Sequence, residues 1–276
     1  MPKIDSHQHF WKFDPVRDAW ITEDMGAIRR DFLPENLGPI LRSHDIDGCV
    51  AVQADQSAAE NDFLLLLAAE HDWIKGVVGW VDFQSPDISD QLAHYAGFKK
   101  MKGFRHILQG ETQRDFMLRP TFLNGIGALA KFGFSYDILV FPDQLGFAET
   151  FVRKFPDQRF VVDHLAKPYI RDKKIDPWRR DMQRLAAFDN VSCKISGMVT
   201  EANWQSWKKE DFTPYLDVVV SAFGTDRLLF GSDWPVCLVA ASYVEMLGIV
   251  TDYFSALSEN ERNNIFGGNA IKFYNL

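Results

Sequence analysis

His7 and His9 lie one residue apart near the start of the chain, inside the run Lys3–Phe10. If this run forms a β-strand, its two-residue period directs both imidazoles to the same side. Two rigidly held nitrogen donors on one side provide half of a tetrahedral metal site. Such a pair also arises by chance on strands, so it needs support from ligands elsewhere in the chain.

Two later apolar runs end in residues that could complete such a site. Val161–Asp163 leads into His164, and Leu228–Ser232 leads into Asp233. Imidazole nitrogen and carboxylate oxygen are both zinc ligands. Each residue also has a simpler interpretation, since His164 could be a hydrogen-bonded core histidine and Asp233 a turn former before Trp234. Convergence of both residues with the histidine pair would favour a metal or catalytic site.

Short apolar runs of this kind recur along the whole chain. Most are continuous rather than alternating, which is typical of strands covered on both faces. The eight predicted strands are Lys3–Phe10, Gly48–Ala54, Lys75–Phe83, Lys100–Leu108, Phe134–Val140, Arg159–Leu165, Val191–Ser196 and Arg227–Ser232.

Helix signals fill the gaps between these runs. Ser57–Glu60 and Ser258–Glu261 are capping boxes, and Gly133 is placed to end a helix. The second box opens a C-terminal helix that Gly267 and Gly268 are expected to break. The other predicted helices are Pro34–Leu41, one from Ser57 to Ala69, Asp87–Tyr95, Phe122–Phe132, Gln144–Phe155, Pro177–Phe188, Pro214–Phe223 and Tyr243–Leu257.

The alternation of strand and helix predicts an α/β protein with a (β/α)8 TIM-type barrel. Eight β/α units in about 250 residues are typical of this barrel, and we expect residues 1–276 to form one domain. An open doubly wound sheet is the alternative, but no G-x-G-x-x-G or P-loop follows any predicted strand. A barrel places its catalytic groups at the C-terminal ends of its strands. These ends offer His7 and His9, Gln53, Trp80 and Asp82, Arg105 and His106, Tyr136 and Asp137, Asp163 and His164, Lys194 and Ser196, and Asp233.

Composition excludes several classes of partner. The formal net charge is −8, which argues against nucleic acid and anionic membranes. The three cysteines form no C-x-x-C pair, and no signal peptide is evident, so we expect a cytoplasmic protein. No apolar run approaches the roughly 18 residues of a membrane span.

The motifs at three strand ends together resemble those of the amidohydrolase superfamily. They are Ile4–Trp11, Val162–Pro168 and Phe230–Pro235, and the final stretch Gly268–Tyr274 is similar as well. Within the superfamily the chain most resembles the sugar-lactonase branch, whose members hydrolyse L-fuconolactone, L-rhamnonolactone or 2-pyrone-4,6-dicarboxylate. Lys102–His106 fits this branch too. The resemblance implies a hydrolase that opens a sugar lactone at the C-terminal mouth of the barrel.

The resemblance also implies a metal site formed by His7, His9, His164 and Asp233. Binuclear members add a histidine on the fifth strand and a bridging carboxylate or carboxylated lysine on the fourth. This sequence lacks both at the corresponding strand ends. We therefore expect at most one divalent metal ion, and zinc is the metal we expect. Because some members of the branch work without a metal, metal-independent activity stays open.

Lactone hydrolysis is acyl transfer to water, which needs a base, an electrophile for the carbonyl oxygen and a proton for the leaving oxygen. We expect Asp233 to be the base, with His164 and Arg105 stabilising the carbonyl oxygen. Tryptophan faces could stack on a sugar or could simply pack in the core. Strand parity places Lys102 and Arg105 on opposite faces, so only Arg105 is expected to reach the pocket directly. The predicted substrate contacts are Trp11, Trp80, Lys102, Arg105 and Trp234.

Other functions stay open at this stage. A dicarboxylate lactonase or a metal-dependent decarboxylase could use the same barrel, but a dicarboxylate calls for several cations and few strand ends carry arginine or lysine. A non-catalytic binding protein is a third alternative. The expected partner is a small sugar lactone, with no nucleic acid or membrane, and self-association into a homo-oligomer is left open.

Overall fold

The computed structural model describes residues 1–276 and contains eight parallel strands that follow one another around a barrel. The strands are β1 Ile4–Gln8, β2 Gly48–Val52, β3 Ile74–Gly79, β4 Met101–His106, β5 Ser135–Ile138, β6 Phe160–Val162, β7 Val191–Ile195 and β8 Leu228–Phe230. The barrel closes between β1 and the segment after β8, where Asp233 N–H donates to His7 O at 2.8 Å and His9 N–H donates to Trp234 O at 2.7 Å. The predicted (β/α)8 fold is confirmed.

Helices connect the strands and cover the outside of the barrel. They are α1 Pro34–Ser43, α2 Ala58–Glu70, α3 Ile88–Ala96, α4 Pro120–Phe132, α5 Leu145–Arg153, α6 Trp178–Ala186, α7 Lys209–Phe223, α8 Tyr243–Tyr253, α9 Glu259–Asn263 and α10 Asn269–Tyr274. Ser57 and Ser258 cap α2 and α9 as predicted, and Gly133 ends α4 with a left-handed φ of 71°. No helix combines the length and apolar character needed to cross a bilayer.

The prediction that Gly267 and Gly268 break the last helix is wrong. A π-helical turn, Asn264–Gly268, leads directly into α10. A Cβ atom on Gly267 would lie 1.9 Å from the carbonyl oxygen of Pro2, so this glycine serves a close backbone approach rather than a break.

The end of the barrel formed by the amino-terminal ends of the strands is filled from inside by α10. Phe273, Tyr274 and Ala270 pack there against aliphatic side chains of five strands. Those side chains are Ile4, Val50, Val52, Val78, Val161 and Leu229. A separate and larger apolar cluster packs the helices against the outside of the sheet. The opposite end, where the strands finish, is left for polar residues and loops.

Candidate active site

Strand β1 brings His7 and His9 to the carboxyl end of the barrel. His9 Nδ1 lies 2.7 Å from the carbonyl oxygen of Val52. Because a carbonyl only accepts, Nδ1 carries the proton and Nε2 keeps its lone pair. That Nε2 lies 3.2 Å from His7 Nε2, so the two imidazoles face one place.

His164 reaches the same place from a left-handed turn that follows β6. His164, Leu165, Ala166 and Lys167 have φ values of 54°, 54°, 54° and 50°. This conformation costs non-glycine residues roughly 1–2 kcal/mol each, so the turn is strained. The turn is largely buried, and Trp178 Nε1–H donates to Leu165 O at 2.7 Å. This packing and this hydrogen bond hold the strained backbone in place. A side chain at Gly197 would collide with the His164 ring, with a Cβ 2.5 Å from Nδ1.

Asp233 completes the cluster from the segment that follows β8. Its Oδ1 lies 3.3 Å from His9 Nε2, 3.8 Å from His7 Nε2 and 3.9 Å from His164 Nε2. The backbone at Asp233 has a φ of 57° and is tied to β1 by the hydrogen bond to His7 O. The four side chains predicted to be ligands therefore meet at the mouth of the barrel.

The charge states of this cluster suit metal binding. Burial lowers the pKa of His7 and of His164 well below the ordinary histidine value, which keeps both imidazoles neutral. Burial alone would raise the pKa of Asp233, but its contacts with His164 and His9 outweigh burial and lower that pKa, so the carboxylate stays ionised. Neutral imidazoles and an ionised carboxylate are the forms that bind metals.

The spacing of the donor atoms also fits one metal ion. The donors of His7, His164 and Asp233 all lie within 4.8 Å of one another. His9 joins them at 3.2 Å from His7 and 3.3 Å from Asp233. Tetrahedral zinc with bonds of about 2.1 Å places its ligands about 3.4 Å apart. These four residues would hold one such ion, and the cluster contains no further histidine or carboxylate for a second.

A fully buried charge network lies below the cluster. Lys194 Nζ lies 2.5 Å from Asp137 Oδ2 and 3.0 Å from Asp163 Oδ1. Asp163 in turn lies 3.3 Å from His7 Nδ1 and 3.0 Å from Arg105 Nη1. The network therefore supports both a cluster histidine and the strand β4 arginine.

The pKa values of the two carboxyls in this network shift in opposite directions. Burial raises the pKa of Asp137 to about 6 despite its contact with Lys194. Burial opposes ionisation of Asp163 as well, but Lys194 and His7 hold its pKa well below the usual range. Tyr274 O–H donates to Asp137 Oδ2 at 2.7 Å and connects the network to α10.

Above the cluster is a cavity of about 270 Å³. One part of its wall is polar and includes His9, Arg105, Gln109, His164, Lys167 and Asp233. The other part is apolar and includes Trp20, Ala54, Ile107, Leu139 and Val236. Its volume lies near the lower limit for small-molecule sites, which suits a ligand of monosaccharide size.

Among the predicted substrate contacts, Arg105 lines this cavity and the other four do not. Lys102 lies at the start of β4, and its Nζ donates to Asn275 O at the opposite end of the barrel. Its parity on β4 also differs from that of Arg105. Trp11 and Trp234 are buried in an aromatic cluster with Phe32. Trp80 Nε1–H donates to His106 Nδ1 at 3.3 Å. The prediction for Lys102 is therefore wrong, and those for Trp11, Trp80 and Trp234 stay predictions.

Sequence reasoning missed most of the cavity wall, including the polar or aromatic residues Lys167, Trp20 and Gln109. Lys167 lies within the Val162–Pro168 motif, so a cationic side chain three residues after His164 was a usable signal. In the structure it pairs with Glu201 at 3.2 Å. Trp20 and Gln109 lie on loops after β1 and β4 and carried no signal in the sequence.

Comparison with known proteins places the chain in a family. The amidohydrolase family profile matches residues 4–276, so this protein belongs to the amidohydrolase family. It is 39% identical to an L-fucono-1,5-lactonase of Burkholderia multivorans, over 99% of this chain and 96% of that protein.

Solved structures agree with the fold. A crystal structure of an amidohydrolase from Burkholderia multivorans with bound zinc matches over 100% of both chains, with a TM-score of 0.96 and 39% identity. A probable 2-pyrone-4,6-dicarboxylic acid hydrolase from Acinetobacter baumannii matches over 100% of both chains with a TM-score of 0.81 but 16% identity, which is a likeness of fold.

Proposed function

We propose that this protein hydrolyses the ring ester of a sugar lactone, with L-fucono-1,5-lactone as the first substrate to test. The observation that carries the proposal is an ionised carboxylate, Asp233, among three histidines at the base of a monosaccharide-sized cavity. The similarity to an L-fucono-1,5-lactonase supports the choice of substrate.

Asp233 is the proposed general base. It takes a proton from water as the water oxygen attacks the lactone carbonyl carbon, and returns that proton to the ring oxygen when the carbon–oxygen bond breaks. The product is an open hydroxy acid, which ionises at neutral pH. A single carboxylate can serve both steps because the attacking and leaving oxygens are bonded to the same carbon.

Arg105 and Lys167 are the proposed cationic partners of the substrate oxygens. Both line the cavity, and their side chains are held in place, Arg105 by Asp163 at 3.0 Å and Lys167 by Glu201 at 3.2 Å. Fixed positive charge at a site screened from water stabilises the oxygen that becomes negative during attack. His164 lies on the same wall and is proposed to share this role.

We also propose one zinc ion, held by His7, His9, His164 and Asp233. When bound, zinc polarises a carbonyl oxygen and makes water more acidic. Elemental analysis of protein prepared without added metal should give one equivalent per chain. Two equivalents would contradict the single-site geometry. Full activity in a chelator with no metal bound would remove zinc from the proposal and leave the lactonase standing.

The activity itself is tested by proton release from L-fucono-1,5-lactone, with the spontaneous hydrolysis rate subtracted. We expect a clear enzymatic rate with the purified zinc-loaded protein. A panel of other aldonolactones then ranks the substrates. A rate equal to the spontaneous rate on every lactone in the panel would overturn the proposed function.

A further inference from the structure

One part of the cavity wall is an exposed tryptophan, Trp20. This residue is 44% exposed, and no other phenylalanine, tyrosine or tryptophan lines the cavity that contains Asp233. The remaining apolar wall residues are aliphatic, namely Ala54, Ile107, Leu139 and Val236. Trp20 therefore offers a ligand the one large, flat and carbon-rich surface in the wall.

Trp20 is held by an aromatic ring that connects it to the proposed metal site. The ring centroids of His9 and Trp11 lie 6.4 Å apart, and those of Trp11 and Trp20 lie 5.9 Å apart. Trp11 is buried, and its Nε1–H donates to Arg30 O at 2.9 Å. The ring that supports Trp20 is thus fixed in the fold.

The contact with Trp11 leaves a face of the Trp20 indole free. The two rings meet at an interplanar angle of 86°, which is an edge-to-face arrangement. In such a pair the edge of one ring meets the face of the other, so Trp11 covers at most one face of Trp20. Because Trp20 is also 44% exposed, a ligand can contact its side chain without displacing protein atoms.

The surface of a sugar lactone has two parts that match the two parts of the wall. Its hydroxyl and ester oxygens suit the polar residues, which include Arg105, Lys167 and Asp233. Its ring C–H groups have no hydrogen bonds to make and gain from contact with an apolar aromatic surface. Trp20 is the wall residue suited to receive those C–H groups.

Building on the proposed lactonase function, we propose that Trp20 is a substrate-binding residue whose indole stacks on the C–H face of the lactone ring. The ring C–H groups take no part in ester hydrolysis. The contact therefore stabilises the bound substrate and the transition state to about the same extent, and its loss raises KM while kcat is kept.

Two variants of Trp20 test the proposal on L-fucono-1,5-lactone. Trp20→Leu keeps an apolar side chain without an aromatic face, and we expect KM to rise about tenfold with kcat within about threefold of wild type. Trp20→Phe keeps an aromatic face, and we expect a KM within about threefold of wild type. Phe98→Leu is the matched control, since Phe98 is 40% exposed and does not line the cavity, and it should leave KM unchanged.

Three kinetic results would overturn the proposal. The first is a KM for Trp20→Leu within about threefold of wild type. The second is a KM for Trp20→Phe as high as that for Trp20→Leu, which is expected if only apolar bulk matters. The third is a loss of kcat with KM unchanged, which is expected if Trp20 only excludes water. Zinc content and melting temperature verify folding, and Trp20→Met replaces the leucine variant if that one does not fold.

Binding of L-fucose tests the stacking without hydrolysis, because this sugar has a ring C–H face and no ester bond. We expect an NMR titration to give a Kd about tenfold higher for Trp20→Leu than for wild type. Equal Kd values for the two proteins, including no binding to either, would overturn the stacking. Absence of lactone hydrolysis in the wild-type protein would instead overturn the lactonase function, so the two failures are distinguishable.

Discussion

Several properties needed for catalysis meet in the Asp233 side chain. It contacts three histidines, lines the cavity and stays ionised because His164 and His9 outweigh the effect of burial on its pKa. Its left-handed backbone conformation, with φ of 57°, is one that asparagine also tolerates well. Asparagine at this position therefore changes the chemistry without adding backbone strain.

We expect Asp233→Asn to lower kcat on L-fucono-1,5-lactone by about 10²- to 10⁴-fold, because an amide cannot take a proton from water. The measurement is steady-state kinetics on zinc-loaded protein, with circular dichroism to verify the fold. Asp157→Asn is the matched control, since Asp157 is exposed and does not line the cavity. A folded Asp233→Asn variant that keeps more than about a tenth of wild-type kcat would exclude Asp233 as the base.

At the scale of elements, strand β7 contributes the buried cation Lys194 and no proposed metal ligand. Lys194 is completely buried between Asp137 and Asp163, which come from the two preceding strands. The pairing is possible because inward-pointing residues from different strands meet in the interior of the barrel. Removing one partner of a buried ion pair leaves the other charge uncompensated.

We expect Lys194→Met to lower the free energy of unfolding by about 3–5 kcal/mol, because two buried carboxyls then lose their shared cation. Denaturant titration measures this change. The double variant Lys194→Met/Asp137→Asn should recover much of the loss, since Asp163 keeps Arg105 at 3.0 Å and His7 at 3.3 Å. No recovery in the double variant would show that Lys194 acts through packing of its side chain rather than through charge.

At the scale of the whole molecule, one buried carboxyl that is not a proposed metal ligand contributes to the pH dependence of stability. Glu60 lies in the first turn of α2 and accepts a hydrogen bond from Ala54 N–H at 2.9 Å. Burial raises the pKa of Glu60 to about 7. The folded state thus binds this proton more tightly than the unfolded state, where the ordinary value is 4.5. The contribution of Glu60 to the free energy of unfolding is fully present at pH values below its pKa in the unfolded state. It is lost as the pH rises through its pKa in the folded state.

We expect Glu60→Gln to be more stable than wild type above pH 7. The difference in the free energy of unfolding between variant and wild type should grow by up to about 3 kcal/mol from acidic pH to above pH 7. Glutamine still offers an oxygen to Ala54 N–H and carries no charge to desolvate. Urea unfolding of both proteins at several pH values between roughly 4.5 and 8 gives the difference directly. A difference that stays constant over this range would show that Glu60 ionises normally in the folded protein.

The barrel and the meeting of the four proposed ligands could be predicted from sequence because both depend on local pattern. Eight apolar runs separated by helix signals specify the fold class, and strand ends of such a barrel converge by geometry. His7, His9, His164 and Asp233 stand at those ends, so the meeting of their side chains followed from the fold.

The cavity walls could not be predicted in the same way. Trp20 and Gln109 reach the cavity from loops, whose path depends on tertiary packing rather than on strand periodicity. Trp11 and Trp234 are buried instead in an aromatic cluster with Phe32, a contact that depends on the path of the loop after β1. The Lys194 network required knowledge of which strands are adjacent and at what register.

Because α10 fills the barrel from below, the order of synthesis matters for folding. The ribosome makes β1 long before Tyr274, yet both contribute to the same apolar interior. A nascent chain that has not emerged beyond Tyr274 therefore exposes the inner faces of several strands. We expect such chains to be substrates for chaperones and to complete the barrel only once α10 is free to enter, so the last helix acts as the final step of assembly.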